Sequence, residues 1–428
     1  MLALLSKILH TLAHPNDSDS IKDCPQSVLF LLSTKPDALR TLAHTKLHTY
    51  PFASVPACWR RLYTDSSIAV AVKLIKGRLT EPERNRENSP GEEKDEKADE
   101  EWVSEAVQIL DMAIIMAGAE GRGEMIETLI GALQDHVKEH QLPQKKRRKV
   151  EDAFPVDLNG KHAIPIIHHP VRSISDCSMY GFEKYLALGS APLVMKDGLG
   201  HWPALHERPW SSPAYLIEKT FGGRRLIPVE VGRSYTDEGW GQSIITFREF
   251  IDKYLLSEKV EEGSGIGYLA QHDLFSQIPS LRNDISIPIH CYTELPPGQE
   301  AKEALKLEDP LLNAWFGPAG TVSPLHTDPY HNILCQVVGK KYIRLYSPAE
   351  SEKVYPRGIE EGGVDMSNTS EVDVEAPSAG LDVKFPLFRE AKYVETILSE
   401  GECLYIPVGW WHYVRSLTVS FSVSFWWN

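Results

Sequence analysis

Apolar residues recur at helical spacing in the first third of the chain. In residues 101–117 they return every three or four positions from Val103 to Ile114, as one face of an α-helix requires. Residues 124–137 repeat this spacing after the glycine-rich stretch GAEGRG, which is typical of a turn. The first residues, MLALLSKILHTLA, are also amphipathic and lack a cleavage site, so we expect a helix and not a secretion signal. These patterns predict a helical domain over residues 1–143.

Two polar segments interrupt and end this helical pattern. Residues 81–101 hold no large apolar side chain, so they have nothing to bury in a core and we expect a disordered acidic loop. A linker over residues 144–151 then carries five consecutive cations, Lys145–Lys149. Such a cluster is typical of a nuclear import signal that an acidic import receptor binds. We therefore expect a nuclear protein, with a cytoplasmic pool also compatible; a solvated linker without a role is the alternative.

From residue 152 the pattern changes to short β-type segments separated by proline and glycine. The last of them, TVSFSVSFWWN, alternates apolar and serine positions from Val419 to Phe425, which is the two-residue period of a strand. Many short strands without regular helices between them favour a jelly-roll or cupin-like barrel with outer helices. The expected fold is therefore α+β: a helical domain followed by a barrel domain over residues 152–428, with its core in about residues 265–428.

Composition narrows the classes of protein to consider. The 428 residues carry 45 Lys and Arg against 59 Asp and Glu, a formal net charge of −14, which argues against direct binding to nucleic acid backbones or anionic membranes. No apolar run approaches the ~18 residues of a membrane span. The six cysteines are scattered without a CxxC motif, so neither a disulfide framework nor a zinc site is indicated. The totals fit a protein of two domains with reduced thiols, as in the cytosol or nucleus.

The stretch SPLHTDPYHN places two histidines and an aspartate just before an apolar strand. In an extended chain His326 and Asp328 point to the same face, so both can hold one ion from one side. A third histidine, His412, follows another apolar strand in ECLYIPVGWWHYV. Two histidines and one carboxylate form the facial triad of non-haem Fe(II) enzymes, which leaves positions open for a co-substrate and oxygen. His331, on the opposite parity, should face away. A hydrogen-bonded turn and a packed histidine are the alternative to a metal site.

Two longer segments, NAWFGPAGTVSPLHTDPYHNILCQVVGKKYIRLYSP and IPVGWWHYVRSLTVSFSVSFWW, closely resemble the Jumonji-C family of Fe(II)- and 2-oxoglutarate-dependent oxygenases. The resemblance covers nearly all of residues 160–428. It implies a double-stranded β-helix with Fe(II) on His326, Asp328 and His412, and with 2-oxoglutarate and O2 as co-substrates. It also implies a 2-oxoglutarate site made by Tyr268, Gln271, Ser323, Asn332 and Lys341.

In this resemblance Lys341 and Tyr268 hold the far carboxylate of 2-oxoglutarate. A buried dicarboxylate needs a cation and a hydroxyl there, because an unpaired buried charge is costly. Lys341 follows the Gly339-Lys340 turn, so its position in the sequence alone predicts a solvated hairpin cation. Its assignment to the co-substrate therefore depends on the family pattern.

The resemblance also bears on the substrate, since similar family members act on proteins by two reactions. One is hydroxylation at carbon 3 of arginyl residues, and the other is demethylation of histone lysines. Glu230 matches a family carboxylate that could bind a guanidinium in bidentate fashion, while Tyr235 and Trp315 could stack on it. A methylated ammonium would prefer an aromatic cage. We expect arginyl hydroxylation of a protein or peptide, with demethylation of a histone tail as the alternative; Glu230 could otherwise be an exposed strand carboxylate.

Two further hypotheses belong to other classes. The chain could be a non-catalytic nuclear interaction module whose helical domain and basic cluster carry its function. It could also be a metal-dependent cupin that does not use 2-oxoglutarate. The complete set of three metal ligands argues against the first hypothesis, and Lys341 with Tyr268 argues against the second.

Overall fold

The structure, a computed structural model, divides the chain into two compact units. The first unit is formed by Met1–Lys149 and Thr220–Ile227, and the second by Val150–Lys219 and Pro228–Asn428. The basic cluster Lys145–Lys149 lies outside the residues that the structure describes. Those residues are 1–80, 92–140, 152–155, 164–232, 236, 239–257, 265–299, 304–360, 363–376 and 383–428.

The described residues of the first unit form six α-helices around one apolar core. The predicted helical face is present at the N-terminus, where Leu5, Ile8 and Leu12 are buried. In the fourth helix every residue from Leu62 to Val72 is buried, so this helix runs through the centre of the unit. The helices are α1 (Leu2–Ala13), α2 (Gln26–Leu29), α3 (Pro36–Leu47), α4 (Ala57–Thr80), α5 (Glu92–Ala117) and α6 (Gly123–Glu139).

Charged residues inside the first unit are paired. Asp65 on α4 is fully buried and accepts a hydrogen bond from Arg122 Nε at 2.9 Å. Arg225, from the short segment 220–227, lies 2.8 Å from Asp111 on α5 and 3.2 Å from Glu127 on α6. A buried charge without a partner is strongly destabilising. These pairs explain why residues 220–227 belong to the helical unit, which their place in the sequence does not indicate.

The start of α5 corrects one expectation. The sequence predicts a disordered loop over residues 81–101, but α5 begins at Glu92, so the prediction is wrong for residues 92–101. Glu, Lys and Ala dominate this stretch and are strong helix formers. A helix already nucleated by the packed residues from Trp102 onward extends into them at low cost. Residues 81–91 lie outside the described part of the chain.

The second unit is built on two sheets. The strands among the described residues are β1 (Arg172–Ser175), β2 (Leu193–Lys196), β3 (Leu226–Val231), β4 (Gly241–Thr246), β5 (Gly267–His272), β6 (Leu311–Gly317), β7 (Val322–His326), β8 (His331–Val338), β9 (Lys341–Tyr346), β10 (Tyr393–Leu398), β11 (Cys403–Ile406), β12 (Trp411–Ser416) and β13 (Ser420–Trp427). The first two residues of β3 are counted with the first unit. The larger sheet has the order β1-β2-β11-β8-β13-β6-β5-β3-β4, and the smaller has the order β10-β9-β12-β7. Short helices connect the strands: α7 (Met179–Ala187), α8 (Pro213–Lys219), α9 (Phe247–Phe250), α10 (Leu274–Gln277) and α11 (Pro279–Arg282).

The last eight strands form the double-stranded β-helix that the sequence predicts, so the expected fold class is confirmed. Strands β6, β8, β11 and β13 belong to the larger sheet and β7, β9, β10 and β12 to the smaller one, and neighbours among them pair antiparallel. Leu334 and Leu404 from one sheet share an apolar core with Ile343 and Val414 from the other. No helix among the described residues has the length and apolar content of a membrane span.

The turn between β8 and β9 determines where the next lysine lies. Gly339 has a φ of +73°, and a Cβ there would lie 2.0 Å from Val419 O, so only glycine fits this position. Lys341 is the first residue of β9 and pairs with Ser416 on β12 and Leu398 on β10. With a strand on each side, Lys341 is 1% exposed. It is therefore a buried cation and not a solvated hairpin residue.

Candidate metal centre

Two neighbouring strands of the smaller sheet bring the predicted metal ligands together. His326 ends β7, His412 is the second residue of β12, and the two are direct partners in the antiparallel register. Asp328 Oδ1 lies 3.6 Å from His326 Nε2, and Asp328 Oδ2 lies 3.5 Å from His412 Nε2. The ligand atoms of the three residues all lie within 4.8 Å of one another. They are close enough to hold one ion between them.

Both imidazoles are oriented by the backbone. His326 Nδ1 lies 2.7 Å from Pro324 O, and His412 Nδ1 lies 3.0 Å from Trp410 O. A carbonyl oxygen only accepts, so each Nδ1 carries the proton and each Nε2 keeps its lone pair for a ligand. Histidines that bind metals have this arrangement, in which the second nitrogen donates to a carbonyl or carboxylate. The two rings are thus already oriented for a cation.

The electrostatics of the three side chains also favour a bound cation. Burial, with a further contribution from His412, lowers the pKa of His326 to about 4, so this ring is neutral at pH 7. Burial opposes the charged form of Asp328, but the two histidines and Asn332 outweigh it and lower the pKa of the carboxyl. Burial likewise opposes the charged form of His412, but Asp328 outweighs it and raises the pKa of that ring. A metal ion at Nε2 would compete with protonation of His412, since a ligating histidine is neutral.

The donor set fits a divalent first-row transition metal. Two imidazoles and one carboxylate on one side of an ion form the facial triad, which suits Fe(II) and leaves the opposite side open. Within the part of the chain that the structure describes, no other group of three His, Cys, Asp or Glu side chains could hold an ion. The three residues predicted from the sequence therefore form one candidate centre.

A cavity that is partly open to solvent lies beside the three ligands. Its walls come from strands of both sheets, so it lies inside the barrel. The lining is polar around the three ligands and also includes the aliphatic side chains of Leu334, Ile406 and Val414. The lining residues are Tyr268, Trp315, Ser323, His326, Asp328, Asn332, Leu334, Lys341, Ile406, His412 and Val414.

Lys341 provides this cavity with a cation that has no carboxylate partner among the described residues. Its Nζ donates to the Tyr268 hydroxyl at 3.3 Å. Burial lowers the pKa of Lys341 to about 7, and burial raises the pKa of Tyr268 above its usual value. A buried ammonium without a counter-ion is costly, and an anion in the cavity would relieve this cost. The site therefore fits a ligand with a carboxylate.

Of the other predicted co-substrate residues, Ser323 and Asn332 line the cavity and Gln271 does not. Ser323 hydrogen-bonds the Tyr268 hydroxyl. Asn332 Nδ2 donates to Asp328 Oδ2 at 3.2 Å, while Asn332 Oδ1 is buried with no partner among the described residues. Gln271 does not line the cavity: it is exposed, with a φ of +46°. An irregularity in the pairing of β5 with β6 after Leu269 accounts for this outward position.

Comparison with known proteins identifies the family. A family model described as a cupin-like domain matches residues 180–428, more than half of the chain. The chain belongs to the cupin-like JmjC family. Members of this family generally depend on Fe(II) and 2-oxoglutarate. These two groups are the ones that the triad and the buried lysine fit.

Relatives in the JmjC family carry two kinds of name. Lysine-specific demethylase 8 of Danio rerio is 37% identical over 414 residues, which cover 95% of this chain and 89% of the relative. Lysine-specific demethylase JMJ30 of Arabidopsis thaliana is 35% identical, over 92% of this chain and 85% of the relative. A human protein named bifunctional peptidase and (3S)-lysyl hydroxylase JMJD7 is 26% identical, over 55% of this chain and 77% of that protein. The relatives therefore include proteins named as demethylases and one named as a hydroxylase.

Two of the three predicted substrate residues, Glu230 and Trp315, lie on strands near Tyr268. Glu230 on β3 is the direct antiparallel partner of Tyr268 on β5, so both side chains point to the same face. Trp315 on β6 lines the cavity, its ring centroid 6.2 Å from that of Tyr268, and its Nε1 donates to Ser424 Oγ at 2.9 Å. Tyr235 lies outside the described residues.

His331 and Trp240 also lie near the site. His331 faces away from the ligands, as its parity predicts, and its ring nitrogens contact the Tyr405 hydroxyl and Gln299 O. Trp240 was not predicted from the sequence, yet its Nε1 lies 3.4 Å from Glu230 Oε2. The only available signal was its place in the glycine-flanked stretch EGWGQ, shortly after the strand of Glu230.

Proposed function

We propose that this JmjC protein hydroxylates carbon 3 of arginyl residues in a protein or peptide substrate. His326, Asp328 and His412 would hold Fe(II), and Lys341 with Tyr268 would hold the far carboxylate of 2-oxoglutarate. Bound iron and 2-oxoglutarate together activate O2 for insertion of one oxygen atom into a C–H bond. The chain's own part is to position the groups, neutralise the dicarboxylate and limit access of water.

The observation that carries the arginyl assignment is the environment of Glu230. This carboxylate is half-buried, and Trp240 is its one hydrogen-bond partner among the described residues. Burial raises its pKa, with a smaller opposing effect from Trp240. A carboxylate in this position gains most from a partner that is cationic and donates two parallel hydrogen bonds, which is what a guanidinium does. The indole of Trp315 offers a face on which such a plane can stack.

Demethylation of a methylated lysine is the second candidate. It is supported by the names of the demethylase relatives and by the two rings of Tyr268 and Trp315 at the cavity. A trimethylated ammonium has no N–H to donate to Glu230, so its recognition would depend on ring faces alone. The two candidates therefore differ in how much they need this carboxylate.

The deciding experiment compares the two peptides with one variant. The purified full-length protein would be loaded anaerobically with Fe(II) and 2-oxoglutarate, exposed to air with arginine or methyl-lysine peptides, and analysed by intact mass. We expect one added oxygen on the arginine peptide, and a loss of about 100-fold or more in kcat/KM in Glu230→Gln, because a buried charge-assisted pair is worth several kcal/mol. Asp252→Asn, an exposed site, serves as the matched control. Loss of a methyl group with no oxygen gained on arginine would refute the proposal.

We also propose that Lys145–Lys149 direct the protein to the nucleus through an import receptor. The support is the sequence alone, namely five consecutive cations in a chain with a net charge of −14. A fluorescently tagged full-length protein with all five residues changed to Gln should leave the nucleus. An unchanged distribution would contradict this proposal.

A further inference from the structure

The chain between β9 and β10 contains a hairpin. Its described arms are residues 355–360 and 363–371, and we refer to it as the insertion hairpin. Antiparallel bridges join Pro356 to Ser370 and Ile359 to Asp365. Glu371 N also donates to the carbonyl oxygen of residue 355 at 2.9 Å. These bonds give the two arms a defined register.

The second arm of the insertion hairpin pairs with the strand of the metal ligands. β7 is the last strand of the smaller sheet, and on its free side Thr369 is the antiparallel bridge partner of His326. Ser370 N donates to Leu325 O at 2.8 Å. His326 is therefore held at the same register from both sides, by His412 on β12 and by Thr369 on the hairpin. Without the hairpin this end of β7 would be an unpaired edge.

Asn368 contacts Thr327, which follows the end of β7 and lies between the ligands His326 and Asp328. Its backbone O accepts from Thr327 N at 2.8 Å, and its side-chain Nδ2 donates to Thr327 O at 3.4 Å. Thr327 lies between His326 and Asp328, so both of its peptide groups connect to a ligand residue. Holding these peptide groups limits how far the two ligand side chains can move apart.

We propose that the segment Asn368–Ser370 positions His326 and Asp328 for the metal ion and so increases metal affinity. The inference rests on the proposed function for the identity of the ion. Groups that orient metal ligands without touching the ion typically change metal affinity by about 10- to 100-fold. The segment acts through the backbone of β7, so its residues are positioning residues.

The first test uses two changes at one position. Ser370→Pro removes the N–H that donates to Leu325 O, whereas Ser370→Ala keeps the N–H and removes only the hydroxyl, which donates to Val354 O. Full-length protein would be titrated with Mn(II), with the free ion measured by electron paramagnetic resonance and folding checked by circular dichroism. We expect Ser370→Pro to bind Mn(II) about tenfold or more weakly than Ser370→Ala. Equal affinity in the two folded variants would overturn the inference.

If the Ser370→Pro variant does not fold, a second variant tests the inference. Asn368→Ala removes the side-chain bond to Thr327 O and should weaken Mn(II) binding about fivefold, the effect of one hydrogen bond. Val364→Ala, at an exposed residue of the same hairpin arm, is the control and should match the wild type. Wild-type affinity in Asn368→Ala would then overturn the inference.

These readouts separate the inference from the proposed function. Wild-type protein that binds Mn(II) but modifies no arginine peptide would refute the arginyl hydroxylase proposal and leave the hairpin comparison valid. Wild-type protein that hydroxylates arginine, with Mn(II) affinity unaffected by the decisive hairpin variant, would refute the hairpin inference alone.

Discussion

Replacing Lys341 by Met should stabilise the ligand-free protein while abolishing its binding of 2-oxoglutarate. Lys341 is 1% exposed, and its Nζ contacts the Tyr268 hydroxyl and no carboxylate among the described residues. Burial lowers its pKa from 10.5 to about 7. An ammonium held there without an anion destabilises the folded state, and Met has a similar length without the charge. Lys341 is thus expected to strengthen 2-oxoglutarate binding while lowering the stability of the ligand-free protein.

The magnitude follows from the two pKa values. At pH 7 the unfolded chain binds the Lys341 proton fully and the folded chain binds it about half the time, which corresponds to a destabilisation of about 4 kcal/mol. The bond to Tyr268 offsets about 1 kcal/mol, so Lys341→Met should raise the free energy of unfolding by roughly 3 kcal/mol. Between pH 7 and 10.5 the unfolded state binds more protons, so wild-type stability should rise with pH through this window. The variant should lack that contribution.

Urea unfolding of the metal-free protein, followed by circular dichroism at pH 7 and about pH 9, would measure both effects. Lys340→Met is the matched control, because Lys340 is the exposed neighbour, and it should change the free energy of unfolding by less than about 0.5 kcal/mol. Calorimetric titration should detect no 2-oxoglutarate binding by Lys341→Met. A variant that is less stable than the wild type, or that still binds 2-oxoglutarate normally, would refute the reasoning.

Three further predictions follow from the same region. The affinity of the wild type for 2-oxoglutarate should fall above pH 7, because Lys341 must regain its proton to bind the dianion. The decrease should be up to about tenfold per pH unit. An affinity measured by calorimetry that does not depend on pH would contradict this. Asn332→Leu removes the donor to the aspartate ligand and should weaken Mn(II) binding about tenfold; normal Mn(II) binding would contradict that role. Gly339→Ala should lower the free energy of unfolding by more than about 2 kcal/mol, since its Cβ would lie 2.0 Å from Val419 O. Gly401→Ala has a similar positive φ but open space around the Cβ, so a urea midpoint as low as that of Gly339→Ala would argue against the clash.

The fold class could be predicted from local patterns because the strands are short and their apolar and polar residues alternate. From Val419 to Phe425 the chain follows the two-residue period, and this segment forms the central strand β13. Local patterns do not contain the order of strands, however, so the extension of the larger sheet by β1 to β5 was not predicted. The prediction for the polar segment from Glu92 is wrong because low apolar content does not by itself exclude a helix, and both helix propensity and an adjoining packed helix favour one here.

The candidate site shows the same division between local and long-range information. The pairing of His326 with Asp328 is visible in the sequence because one period of a strand separates them. The opposition of His326 and His412 depends on strand register, which no local pattern contains. Lys341 reads locally as a surface residue, and only its two neighbouring strands bury it. Gln271 shows the reverse case, since an irregular strand pairing places it in solvent.

The register between His326 and His412 means that one ion would connect two strands that are far apart in the chain. Such a cross-link adds to folding stability in proportion to the logarithm of the ion concentration above its dissociation constant. The unloaded chain would unfold more often and be degraded sooner, because proteases act on the unfolded fraction. Binding of the ion would therefore lengthen the lifetime of the folded protein.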